Sequence, residues 1–440
     1  MIIKNKLFSI AFMSVVIILM LISITDAVPF THIKNNRNIA VSTPDPGNKV
    51  ITATVPVGIE PYGVAVSSDG KKAYVTNSRR YSDTTGVCGS VSVIDTATNK
   101  VTAMVVVGWH PTGIVVTPDG TKVYVVNLFD NTVSVIDTKN NSVTATLEGF
   151  SCSYTYTNGI TVNPDGTKVY ITNQGNNTVS VIDTATNTVT ATVPVGKYPY
   201  RVAVTPDGKK LYVTNYYNDS VSVIDTATNH EISTVRVGRL PTALVVTPDG
   251  SKAYVTSFGG KKIDVISTKT NTLIATVPLE SRPDEIAFNP MGTKMYVTSF
   301  SKNVYVVNTK TNTVIATVHL GAPPDKIVVN PDGTKVYVVN GNNVSAINTK
   351  TNTVTNTVPV GLGPREIAIT PDGTKVYVAN CGTLDISGNT VSVISTSTNT
   401  TGVSNSDYHK LGSSKMKASL SKYKQKNHSS HHKVEKKALM

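Results

Sequence analysis

One tripeptide constrains this chain more than any other feature. Pro-Asp-Gly recurs at 118–120, 164–166, 206–208, 248–250, 331–333 and 371–373, with Ser68-Asp69-Gly70 and Pro290-Met291-Gly292 as variants. Successive glycines lie 50, 46, 42, 42, 42, 41 and 40 residues apart. A repeat of that period is one supersecondary unit, which cannot bury its apolar face alone and must stack on its neighbours.

Each unit reads as four strands, A to D. In one unit, Arg201 to Val204 is apolar after its first residue and leads into Pro206-Asp207-Gly208. Asp-Gly favours a tight turn, because Gly supplies positive φ and Asp bonds its own backbone. Leu211 to Asn215 follows as the second strand and Val221 to Asp225 as the third. Thr226-Ala227-Thr228-Asn229 turns the chain, and Glu231 to Val237 is the fourth strand. The abundant Val and Thr suit strands, since β-branched side chains pack well on a pleated surface.

The A and B strands are apolar on both faces, as in Val123-Tyr124-Val125-Val126. A sheet with one wet face would alternate instead. Blades stacked face to face around an axis explain the pattern better than a β-solenoid, whose coils are shorter and need no such hairpins. The fold expected for residues 49–400 is therefore all-β, a single β-propeller of four-stranded antiparallel blades.

Eight A-B-C sets start near Val64, Ile114, Ile160, Val202, Leu244, Ile286, Ile327 and Ile367. Eight D strands run from Val50–Val57 to Val354–Val360. The first D strand precedes every A strand, and none follows Val391 to Ile394. The N-terminal strand is thus expected to complete the C-terminal blade, leaving no open edge at the seam. Asn38 to Thr43 resembles a competing C strand, so eight blades are expected by count, with seven as the alternative.

The B strands spell Tyr74-Val75-Thr76-Asn77, Tyr212-Val213-Thr214-Asn215 and close variants. With the Val-Ile-Asp-Thr and Thr-Val-Pro-Val-Gly segments, they resemble the YVTN-repeat family, known from surface-layer proteins of methanogenic archaea and related bacterial proteins. The resemblance covers about residues 49–400 and implies a propeller. Similar propellers occur in lactonase-like enzymes and in redox-enzyme subunits, so the fold leaves function open.

The ends carry different information. Lys4 and Lys6 precede an uncharged apolar run, Leu7 to Ile24, and Thr25-Asp26-Ala27 offers a signal-peptidase site. Residues 1–27 read as a signal peptide, or as an uncleaved membrane anchor because the run is long for a cleaved signal. Either places the remainder outside the cytoplasm, at the cell surface or beyond. Residues 28–48 read as a linker. The tail, 401–440, holds nine Lys and two acids and is expected to be disordered. It carries +7 of the formal net charge of +13, and residues 1–48 carry +2, so residues 49–400 keep only +4. That mild imbalance argues against specific nucleic-acid binding by the body. His428, His431 and His432 read as part of a solvated tail.

The repeat also sorts the loops. A-B and C-D turns share one face and are nearly invariant. B-C and D-A loops share the other, which holds three long insertions, Ser78–Ser90, Glu148–Asn158 and Cys381–Asn389. Variable loops on a rigid scaffold are the usual place for binding. All three cysteines, Cys88, Cys152 and Cys381, fall there. A Cys88–Cys381 disulfide would staple the seam; unpaired thiols are the alternative. Among the Asn-x-Ser/Thr sequons, Asn176 and Asn218 sit in B-C loops and are the candidates for glycosylation.

The start of each A strand is expected to line the channel on that same face. One arc is small and polar, with Tyr62-Gly63, Thr112-Gly113 and Asn158-Gly159. The other is charged, with Arg201, Asp284, Glu285, Asp325, Lys326, Arg365 and Glu366. These seven form a candidate ligand rim, or alternatively a ring of ion pairs that helps close the channel.

No metal spacing, phosphate loop or nucleophile motif appears, and no cofactor is expected. His110, His230 and His319 come from different units. Asp119, Asp165, Asp207 and Asp249, like Asp95, Asp137, Asp183 and Asp225, read as turn formers. The expected function is therefore non-enzymatic, an exported cell-surface or surface-layer-type scaffold. Its expected partners are other cell-surface proteins or an envelope polymer, and it would touch the membrane only through an uncleaved N-terminal segment. A lactonase-like enzyme with its site at the charged rim is the alternative.

Overall fold

A computed structural model describes residues 51–78, 88–151, 159–383 and 386–396. These form 32 strands in eight four-stranded antiparallel sheets. Seven sheets are consecutive in sequence. Blade 4, for example, is Pro199–Val204, Lys210–Asn215, Ser220–Asp225 and His230–Arg236, paired in that order. The eighth holds Pro364–Ile369, Lys375–Gly382 and Ser387–Ser395, and its outer strand is Ile51–Pro56. Thr54 faces Ser392 and Val55 faces Val391 across that seam. The expected closure by the N-terminal strand is thus realised, and the count is eight. Asn38 to Thr43, residues 1–48, Cys152 and the basic tail lie outside the described residues.

The A strands contact one another in order around a closed circuit, with Pro364–Ile369 meeting Pro61–Val66. They line the axis, and the D strands form the outer rim. The core consists of eight apolar layers, one between each pair of adjacent blades. In the layer between blades 4 and 5, Tyr212, Val221 and Val223 pack on Leu244, Val255 and Ile266.

One expectation needs correction. The strands buried on both faces are B and C, whose central residues are all buried in blade 4, whereas the A strand is mostly half-buried. A strands border the axial channel, so their apolar side chains meet a neighbouring blade on only part of their surface.

The repeated motifs prove to be joints between blades. Tyr212 Oη donates to Asn271 Oδ1 of blade 5 at 3.0 Å. Lys210 Nζ reaches the same Oδ1 at 3.0 Å and the Thr268 carbonyl at 2.6 Å. Asn271 can receive both because it holds its C-D turn in the left-handed region, at φ 53°, a conformation that Asn tolerates better than most residues. The motif asparagine works within its blade, where Asn215 Nδ2 donates to Ser220 Oγ at 3.1 Å and to Ser222 Oγ at 2.9 Å. The Pro-Asp-Gly turns behave as expected: Gly208 has φ 72°, and Asp207 Oδ1 accepts from Thr205 Oγ1 at 2.6 Å and from Lys209 N at 3.1 Å. Asp225 likewise accepts from the Thr228 amide and hydroxyl. Thr226 Oγ1 then ties the C-D turn to the Gly208 carbonyl at 2.6 Å, which places A-B and C-D turns on one face.

Candidate functional site: the axial chamber and its face

Every fully described A strand begins with a proline and then breaks register against strand B, as between Pro199 and Val202 or Pro283 and Ile286. The bulge frees two residues from the ladder and aims them at the axis. Their amides still need acceptors. In five blades the motif threonine supplies one: Thr214 Oγ1 accepts from Arg201 N and Thr298 Oγ1 from Glu285 N, both at 2.9 Å. Gly63, Gly159 and Ala243 are held in the same way by Thr76, Thr172 and Thr256. The same hydroxyls join blades, since Thr214 donates to the Thr242 carbonyl at 3.3 Å and Thr256 to the Asp284 carbonyl at 3.0 Å. The threonine of each such motif is therefore a positioning residue for the axial site, a role that the sequence pattern leaves unmarked.

The bulges bring the seven charged candidates together around two adjoining cavities of about 170 and 150 Å3. Both cavities are lined by Tyr62, Arg201, Lys326 and Arg365. The first adds Asp284, Glu285 and Asp325, and the second adds Glu366. Glu285 is the hub. It pairs with the Arg201 guanidinium and, at 2.5 Å, with Lys326 Nζ. Lys326 also lies 3.7 Å from Asp325. The three central side chains are only 16–28% exposed, with Asp325 more open at 44%.

Burial in such a site penalises charge, and neighbouring charges decide which groups keep theirs. Burial would raise the Glu285 carboxyl, but Arg201 and Lys326 outweigh it and hold it at about 2. Asp284 has the opposite outcome: burial and then the Glu285 charge push it up to about 7 against the pull of Lys326. Burial also raises Glu366, opposed by Lys326 and reinforced by Glu285. Glu285 raises Arg201, and it reverses the lowering that burial would impose on Lys326. The opposite wall is small or apolar, with Gly63, Gly113, Ile114 and Ile160.

The face bearing B-C and D-A loops has a second feature, which residue-type scanning for catalytic groups passes over. Aromatic side chains gather there: Tyr198 lies 4.8 Å from Tyr217, Trp109 lies 5.5 Å from Phe129, and Phe258 lies 5.0 Å from Phe300. Tyr217 and Phe300 are 60% and 56% exposed. The signal was present in the sequence as an aromatic residue just beyond the B-strand motif, at Phe129, Tyr216, Tyr217, Phe258 and Phe300.

Other expected residues stand apart. Cys381 is not in a loose loop, because strand B of blade 8 runs through it to Gly382 and buries it, while Cys88 is exposed. The seam is held by pairing of Ile51–Pro56 with Ser387–Ser395. Asn176 and Asn218 are exposed in B-C loops, and Asn218 Oδ1 accepts from Lys197 N. His230 and His319 lie exposed at the ends of D strands. His110 is buried, with Nδ1 3.1 Å from the Ser78 carbonyl and its ring stacked on Phe129. Among the described residues, no three His, Cys, Asp or Glu side chains are grouped as metal ligands.

A YNCE-like beta-propeller family matches residues 157–277, which span blades 3 to 5. No curated protein matches the chain. Among solved structures, hydrazine synthase of Kuenenia stuttgartiensis is 22% identical with a TM-score of 0.54, covering 81% of this chain and 99% of that one. At that identity the likeness speaks for the fold alone. Strand pairing, ring closure and these likenesses agree that the chain is an eight-bladed β-propeller, similar over blades 3 to 5 to the YNCE-like propellers.

Proposed function

We propose that this propeller is an exported interaction scaffold at the cell surface, which binds other surface proteins or an envelope polymer through the face bearing B-C and D-A loops. The contrast between the two faces carries the reading. On one face the polar side chains are consumed by their own turns, as Asp207 and Asp225 are. The other displays half-exposed aromatics on a rigid ring, and such groups supply large contact area at low entropic cost. The signal-like residues 1–27 and the YVTN resemblance to surface-layer proteins support the location. Cell fractionation with surface biotinylation and N-terminal sequencing tests it. The protein is expected in the surface or extracellular fraction, starting at Val28 if the signal is cut after Ala27. An unprocessed protein confined to the cytosol overturns the reading.

One observation favours the second, lactonase-like reading. Asp284 near 7 beside Glu285 near 2 is a pair of carboxyls with separated proton affinities, as acid-base chemistry requires. Hydrolysis of a simple lactone by the purified protein, abolished in Asp284→Asn, would establish it. Equal rates with and without protein dismiss it.

A further inference from the structure

Four of the seven charged rim residues satisfy one another: Glu285 joins Arg201 and Lys326, and Lys326 approaches Asp325. Three do not. The Asp284 carboxylate makes no ion pair or hydrogen bond among the described residues, and Arg365 makes no ion pair. Among the described residues, Glu366 Oε1 accepts from the Ile367 amide alone, at 3.1 Å. Arg365 and Asp284 nevertheless line the same cavity, on blades 8 and 6, with blade 7 between them. Opposite charges that share a chamber without meeting are complementary to a molecule that carries both charges and spans the gap.

We propose that the axial chamber binds a small zwitterion, its carboxylate at Arg365 and its ammonium at Asp284, with a short aliphatic body along Tyr62, Thr242 and Ala243, which line the same cavity. A guanidinium offers a planar fork for a carboxylate. Cavities of about 170 and 150 Å3 fall below the ~300–1,000 Å3 usual for drug-sized ligands, which sets the size class. Joining both charges in one molecule pays the entropy of association once rather than twice.

The ionisation of the site agrees with this assignment. Asp284 is held near 7 by burial and by Glu285, with Lys326 and Arg201 opposing and Asp325 adding to the rise. An ammonium at Asp284 favours its charged form, so binding releases a proton near neutrality and strengthens as pH rises through 7. The inference concerns the chamber alone and stands whether or not the protein is exported.

Calorimetric titration of the full-length protein with glycine, β-alanine, 4-aminobutyrate and 5-aminopentanoate tests it. One chain length is expected to bind best and to bind more tightly at pH 8 than at pH 6. Acetate and methylammonium, alone or mixed, are expected to give no saturable heat. Arg365→Gln and Asp284→Asn should each weaken binding roughly tenfold, about 1.4 kcal/mol, because Asp284 is half-buried and Arg365 is exposed. Arg365→Lys, which keeps the charge and loses the fork, should fall between, and it replaces Arg365→Gln if that variant does not fold. No binding across the series, equal binding of the separate halves, or unchanged affinity in the folded variants overturns the proposal.

Discussion

Ser257 Oγ donates to Asp264 Oδ2 at 3.0 Å, inside blade 5. In blade 4 the same two positions are Asn215 and Ser222, and the amide donates to the hydroxyl at 2.9 Å. The exchange of Asn for Ser on strand B is thus matched by Ser for Asp on strand C, and the joint survives with a carboxylate as acceptor. Asp264 is fully buried, and its oxygens also accept from the Gly238 amide, Lys262 Nζ and Thr276 Oγ1.

Asp264→Ala therefore leaves a buried amide and a buried hydroxyl without an acceptor. Stability should fall by about 3 kcal/mol, since each orphaned group costs roughly 1–3 kcal/mol. Asp264→Ser combined with Ser257→Asn restores the blade 4 arrangement and should recover most of the loss. A double-mutant cycle from urea unfolding measures the coupling, and additive effects would show that the two positions act separately.

Among the described residues, Ile51–Pro56 supplies the outer strand of blade 8. A chain lacking these residues leaves Ser387–Ser395 as an unprotected edge, which templates pairing with other chains. It should melt at lower temperature and self-associate, as read by scanning calorimetry and light scattering. A monomer with unchanged melting would mean that the seam is closed by other contacts.

Thr214 serves Arg201 through its hydroxyl, so the conservative test is removal of that group alone. Thr214→Val should cost about 1–3 kcal/mol, because the Arg201 amide loses its acceptor in a half-buried bulge. Thr214→Ser should cost far less. Equal losses in the two variants would assign the effect to packing rather than to the hydrogen bond.

Asp284 makes stability depend on pH with a definite sign. Its carboxyl is raised to about 7 in the fold, against roughly 3.9 in an unfolded chain. Between these values the folded state holds the extra proton, so this group lowers stability as pH rises from about 4 to 7. Glu285, held at about 2, acts oppositely: its contribution is complete above the unfolded value and is lost only as pH falls toward 2. Melting temperature of Asp284→Asn relative to the parent should therefore climb across pH 4 to 7 and level off above. A constant difference would mean that Asp284 ionises normally.

Much of the architecture was legible because it is local chemistry repeated. Gly208 at positive φ, Asp207 bonding its own turn and Asn229 in the left-handed region are each dictated within a few residues. The offset of one strand between the first and last units required closure across the seam. The charged rim was legible as a set of positions, because every A strand begins in the same place.

What those positions do to one another was not legible. Asp284 and Glu285 are adjacent acids in the sequence, yet one is raised and the other lowered. The difference comes from Arg201 and Lys326, which reach Glu285 from blades two before and one after it. Cys381 likewise looked like a loop residue until strand pairing carried it into the buried hairpin. The sequence by itself determined the repeat and its turns, because those rest on backbone preferences and short-range hydrogen bonds, while the choice of eight blades over seven waited on the pairing of Ile51–Pro56 with the last blade. Only the closed ring decided which charges meet, which are buried and which are left facing open space, because these depend on distances across the axis between residues far apart in the chain.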